Sequence, residues 1–205
     1  MSDDDNDPKQ VLLRYLQRSR SAVLWKLEGL SDHDVRRPLT PTGTNLLGVV
    51  KHLAMVELGY FGEVFGRTPE VSVSWWASDE AAMESVPNID MYAGAEQTRA
   101  EVLQLFGEAA RNTAATVAAL DLDAPGRVPW WGEGGHVTLH RILVHMVDEI
   151  ARHAGQLDIL RELLDGAAGV RADSDNLPEL DSAGWAEYRA RLQGIADGFR
   201  HPDQR

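Results

Sequence analysis

The 205-residue chain contains no cysteine. That excludes disulfides, a thiolate zinc site and a cysteine nucleophile, so any thiol in its chemistry has to come from a substrate. Positive charge is in the minority: 20 lysines and arginines stand against 32 aspartates and glutamates, a formal net charge of −12. Nucleic-acid-binding proteins normally present a basic face, so that class is set aside. No apolar run approaches the roughly 20 residues of a membrane span. The opening MSDDDNDPK lacks the apolar core of a secretory signal, and the expectation is a cytoplasmic protein. No convincing strand pattern, internal repeat or low-complexity segment is present.

What is there is an ordinary globular balance, 43% hydrophobic and 25% charged, in a length that fits one domain, residues 1–205. The chain is organised around TLHRILVHMVDEIARHAGQLDILRELLDG, which reads as one long helix over 138–165. Thr138 is its N-cap and Gly166 its C′ residue. Leu139, Leu143, Met146, Ile150, Leu157, Leu160 and Leu164 recur in steps of three and four, the seam of a helix packed in a bundle. The place in the seam between Ile150 and Leu157 is taken by His153. Glu149 lies one turn before it and His145 one turn before that.

A histidine in a seam is ordinarily a buried neutral imidazole with hydrogen-bonded nitrogens. His153 differs because Glu149, four residues earlier, projects from the same face. A carboxylate near a seam is costly unless it is paired or bound to a cation. Carboxylate plus imidazole at this spacing makes half of a divalent metal site. At about 1.5 Å per residue, His145 and His153 are about 12 Å apart along the axis. Both cannot readily reach one ion, so a site takes one adjacent pair and further ligands from another helix. Direct ligation by His145 is not expected.

Three more helices are expected. Residues 8–30 carry Leu12, Tyr15, Leu16, Val23, Leu27 and Leu30, with Pro8 at the start and residues 1–7 frayed. Residues 44–65 carry Leu46, Val49, Leu53, Val56, Tyr60 and Val64. Residues 94–120 carry Val102, Phe106, Ala110, Thr113, Val117 and Leu120. His52, beside Leu53, is either a boundary histidine with one wet nitrogen or the third ligand that the long helix lacks. Residues 67–92 are too long for a simple bundle turn and are expected to cross the bundle, with a short helix at 79–85. Their Trp75 and Trp76 either cover a pocket mouth or act as plain apolar anchors.

Residues 121–137, DLDAPGRVPWWGEGGHV, read as a loop with a second aromatic pair, Trp130 and Trp131. GEGG lacks the ending of a phosphate loop and follows no strand. His136 and His140 are expected on the solvent side. After a polar stretch, Trp185, Tyr188, Leu192 and Ile195 give a short helix in a C-terminal appendage, 167–205, packed on the bundle. The fold class is therefore all-α: a four-helix bundle with a long crossover connection and a short C-terminal helix.

LLGVVKHLAMVE around His52 and VHMVDEIARHAGQLDILRELLDG around Glu149 and His153 resemble the DinB-like superfamily, and more narrowly its mycothiol-dependent S-transferase branch. The resemblance extends to the VPWWGEGG loop and the NLPELDSAGWAEYRARL tail. It implies a DinB-like four-helix bundle that binds one divalent metal, often through three histidines. His52 matches the histidine of the second helix and His153 the last histidine of the fourth. Glu149 stands where many members have histidine. A two-histidine, one-carboxylate set suits zinc or nickel first, with iron or manganese as alternatives.

The resemblance further implies that the metal activates the thiol of mycothiol, a co-substrate, for conjugation to a small electrophile, a detoxification chemistry. No catalytic residue beyond the metal ligands is implied. Trp75, Trp76, Trp130, Trp131 and His145 are candidates to line the substrate pocket. Two other readings use the same residues: a metal-dependent hydrolase or isomerase acting through metal-bound water, and a non-catalytic bundle binding a metal or ligand. The expected partners are small molecules, with neither nucleic acid nor membrane, and a homodimer through the Trp-rich loops or the tail.

Overall fold

Residues 6–200 are described by this computed structural model. Residues 1–5 of the segment expected to fray lie outside them; the Asp7 carboxylate accepts from the Lys9 backbone N–H (3.3 Å) at the start of α1 (Pro8–Trp25). A short α2 (Asp32–Arg36) follows. α3 (Leu46–Phe61) opens on Asn45, whose side chain takes the Gly48 N–H at 2.7 Å. The crossover contains α4 (Trp76–Ala82). α5 (Arg99–Ala119) starts on a capping box between Thr98 and Glu101. α6 (Leu139–Asp165) is capped by Thr138 and stopped by Gly166 at φ 81°, as its sequence requires. α7 (Ser182–Asp197) closes the described chain.

Four long helices, α1, α3, α5 and α6, form the bundle, and tertiary bonds fix their directions. Lys9, at the start of α1, donates to the carbonyls of Val117 (3.3 Å) and Leu120 (2.5 Å) at the end of α5. Arg99, at the start of α5, donates to Leu27 and Leu30 beyond the end of α1. α1 and α5 are therefore antiparallel. Thr116 bonds the Phe61 carbonyl (2.8 Å) at one end of the α3–α5 pair, and Lys51 bonds Gln97 (3.0 Å) at the other, so α3 and α5 run parallel. A parallel pair obliges the chain to return along the bundle, and the crossover of residues 62–98 does so. α3 packs on α6 with Leu46, Val50, Leu53, Leu139, Leu143, Met146 and Ile150 fully buried in the shared core.

Four expectations change. The short helix of the crossover spans Trp76–Ala82, in place of the expected 79–85. α1 ends at Trp25, not near residue 30. Arg161 of α6 takes the carbonyls of Trp25, Lys26 and Glu28 (3.4, 2.9 and 2.8 Å), so tertiary donors replace the helical ladder there. Tyr15, placed on the apolar stripe of α1, is 56% exposed. The loop after α5 is partly ordered as a two-stranded antiparallel ribbon, β1 (Pro125–Arg127) with β2 (His136–Thr138). Of the C-terminal appendage, Gly169 is tied to the bundle through its carbonyl, which accepts from Lys26 (2.5 Å), whereas α7 has no buried residue. Among the described residues, no helix is long and apolar enough to cross a membrane.

Candidate metal centre

His52 projects from the second turn of α3, and Glu149 and His153 from the middle of α6. Each is wholly or partly buried, and one ligand atom from each lies within 4.8 Å of the other two. Both imidazoles aim Nε2 at the same carboxylate oxygen: His52 Nε2 is 3.3 Å and His153 Nε2 is 3.1 Å from Glu149 Oε1. Ligand atoms that share an ion at about 2.0–2.2 Å stand about 3.0–3.5 Å from one another. The two histidine–glutamate separations are of that size. The imidazole rings meet edge-on with centroids 4.8 Å apart.

The outer nitrogens explain why the inner ones are ligand-like. His52 Nδ1 faces Asp90 Oδ2 at 2.6 Å, and His153 Nδ1 faces Gln156 Oε1 at 2.8 Å. A carboxylate and an amide oxygen only accept, so each neutral imidazole carries its proton on Nδ1 and leaves a lone pair on Nε2. Two lone pairs and one carboxylate oxygen then point at a common space. Such an arrangement is balanced by added protons or by a cation.

The proton affinities express this frustration. Burial works to lower the His52 pKa, but the hydrogen bond and charge of Asp90, then those of Glu149, outweigh it and hold the group above its ordinary value. Burial works to raise Glu149, and the hydrogen bond of His52 with the charges of His153 and His52 holds it below its ordinary value. Asp90 is kept low chiefly by its bond to His52, against the effect of burial.

Towards the start of α6, His145 does not join the triad. It packs edge-on against Tyr60 (4.8 Å) and Trp131 (5.0 Å), and Trp130 packs against Tyr60 at 5.3 Å. Trp130 is 52% exposed, and its indole N–H donates to the Tyr60 hydroxyl (3.4 Å). Three of the five expected pocket residues thus gather around one tyrosine, with Tyr60 eight residues after His52 on α3 and His145 four residues before Glu149 on α6. The other two are elsewhere. Trp75 lies beneath the Lys51 ammonium at 5.1 Å, and Trp76 lines a cavity of about 420 Å³ with Leu58, Arg67 and Glu80. A cavity of about 780 Å³ between the crossover and α5 also excludes the triad. His136 and His140 are exposed, as expected.

A family model described as Mycothiol-S-transferase matches residues 11–166. The chain belongs to the mycothiol S-transferase family. The match runs from the first turn of α1 to the cap of α6 and includes all three triad residues. The C-terminal tail, which the sequence reading included in its resemblance, lies beyond it. Among solved structures, a conserved protein from Enterococcus faecalis is similar over 77% of this chain and 96% of its own, with 16% identity and a TM-score of 0.57. That likeness is one of fold. No curated protein matches the chain.

Within this family member, sequence reasoning missed Asp90, Gln156 and the central place of Tyr60. Gln156 had a signal, since it follows His153 by three residues on a helix. Asp90 had an indirect one. A lysine in the apolar run LLGVVKHLAMVE has to find buried acceptors, and the Lys51 acceptors bring the turn that carries Asp90.

Proposed function

We propose that this protein is a metal-dependent S-transferase that conjugates a low-molecular-weight thiol, mycothiol, to a small electrophile. The observation that supports this best is the convergence of two imidazole lone pairs on one carboxylate oxygen, in a chain of the mycothiol S-transferase family and with no thiol of its own.

His52, Glu149 and His153 would hold one divalent ion, zinc or nickel first and iron or manganese next, leaving coordination positions open. When bound there, the ion supplies Lewis acidity that lowers the pKa of an incoming thiol. Asp90 and Gln156 keep both imidazoles in the ligating tautomer. Glu149 adds negative charge, which moderates the acidity conferred on the thiol. Tyr60, Trp131 and His145 offer an aromatic wall on which the apolar part of an electrophile would rest. A cytoplasmic location, a homodimer and a role in detoxification belong to the same proposal.

The test has two parts. Protein purified without added metal is analysed for its elements, and mycothiol consumption is followed with a chlorobimane electrophile. The account expects one divalent ion per chain and turnover that a chelator abolishes. Chelator-sensitive hydrolysis or isomerisation independent of thiol would favour the water-based chemistry. Bound metal without any turnover would favour a binding role.

A further inference from the structure

We propose that Asp90 is a positioning residue for the metal centre, and that the crossover turn carrying it is a clasp whose order is thermodynamically coupled to metal occupancy. The inference rests on the metal reading above and adds a regulated element to it.

Asp90 belongs to no bundle helix. It sits in the single turn Ile89–Met91 of the crossover, entered through Asn88 in the left-handed region at φ 56°. Its place against His52 therefore depends on what ties that turn to α3. Three ties are present on one side of the first turns of α3. Asn45 Nδ2 donates to the Met91 carbonyl at 3.2 Å. Gly48 lets the backbones touch, since a Cβ there would lie 1.8 Å from the Met91 oxygen. Lys51 has a fully buried ammonium that donates to Ile89 O (2.7 Å), Tyr92 O (2.9 Å) and Gln97 Oε1 (3.0 Å) and pairs with Asp79 (2.5 Å).

The chain neighbour of Lys51 is His52. A buried cation held by the turn and an imidazole held by Asp90 thus leave adjacent positions of one helix. The Asp90–His52 bond, 2.6 Å and mostly shielded from solvent, fixes the tautomer and aims Nε2 at Glu149. A cation drawing on Nε2 strengthens the Nδ1–H donor and with it the bond to Asp90. Linkage then requires the converse: what the turn does for the ion, the ion does for the turn.

The experiment uses the full chain with Zn²⁺ alone as the probe. Zn²⁺ affinity is read by competition with a chromophoric chelator, and amide hydrogen exchange across residues 88–93 is read with and without Zn²⁺. Asp90→Ala is expected to weaken Zn²⁺ binding about 10–100-fold, with Asp90→Asn between it and wild type. In the wild type, Zn²⁺ slows exchange in the turn; in Asp90→Ala that slowing is lost. A merely structural role would loosen the turn equally with and without the ion. If wild type and both variants bind Zn²⁺ equally and exchange in the turn ignores it, the clasp is overturned and the metal reading stands. If wild type binds neither Zn²⁺ nor, in the same competition, Ni²⁺, Fe²⁺ or Mn²⁺, the metal reading fails and the clasp falls with it.

Discussion

His52 and Glu149 are separated by 97 positions in the chain, yet His52 Nε2 stands 3.3 Å from Glu149 Oε1. The contact crosses from α3 to α6, and its meaning turns on protons. With Asp90 taking the Nδ1 proton, neutral His52 presents a lone pair to a carboxylate. The pair is stable with an extra proton or with a cation, and the predictions below separate the two.

Ligand substitutions should separate His52 and His153 from His145. His52→Ala and His153→Ala are expected to lose nearly all bound metal. His145→Ala should keep it, because His145 packs on Tyr60 and Trp131 and not in the triad. Metal content of the three purified variants checks this. Equal loss in His145→Ala would contradict the assignment.

Glu149→His should restore the commoner three-histidine set. Replacing a carboxylate with a neutral ligand leaves the cation more electrophilic, so a bound thiol becomes more acidic. The expected outcome is retained metal and a pH–rate profile for thiol conjugation displaced to lower pH. An unchanged profile with metal retained would show that Glu149 does not set the acidity of the site.

Gly48→Ala drives a Cβ into the Met91 carbonyl at 1.8 Å, so the crossover turn has to lift from α3. Overpacking of this kind costs about 1–3 kcal/mol. Chemical denaturation should register that loss. A variant as stable as wild type would mean that the turn yields freely.

Glu108 supplies an acid-sensitive tie between α5 and the crossover. Burial works to raise its pKa, but the Ser72 hydroxyl and Gln104, with the Ser72 N–H, hold it below its ordinary value of 4.5. A depressed folded-state value means that the ionised group stabilises the fold. That contribution is full above the unfolded value and is lost as the pH falls through the folded one. Urea midpoints should decline below about pH 4.5, and Glu108→Gln should cost about 1 kcal/mol at neutral pH while flattening the acid decline. Parallel acid declines in wild type and variant would contradict this.

The long helix and its site were legible because their signals are local. Thr138, Gly166 and a seam of apolar steps mark α6, and His153 is conspicuous as the polar member of that seam. The crossover was legible as a length and not as a structure. Asp90 owes its place to Lys51 and Gly48 on another element, and no periodicity within residues 67–92 encodes that. The end of α1 was misjudged for a similar reason, since Arg161 and Arg99 from distant helices take carbonyls that a continuing helix would have used. Tyr15 keeps the spacing of a core residue but lies at the edge of the stripe, where its ring stays in water.

The measurement closest to the central claim is the metal content of wild type and Glu149→Gln, purified side by side without added metal and assayed for mycothiol consumption. Glutamine preserves shape and one oxygen and removes only the charge. The account predicts one divalent ion per wild-type chain, severe loss of metal in Glu149→Gln, and loss of thiol conjugation in proportion. Full metal and full activity in Glu149→Gln would contradict it, since Glu149 would then be a bystander on α6 and the two-histidine, one-carboxylate centre would not exist.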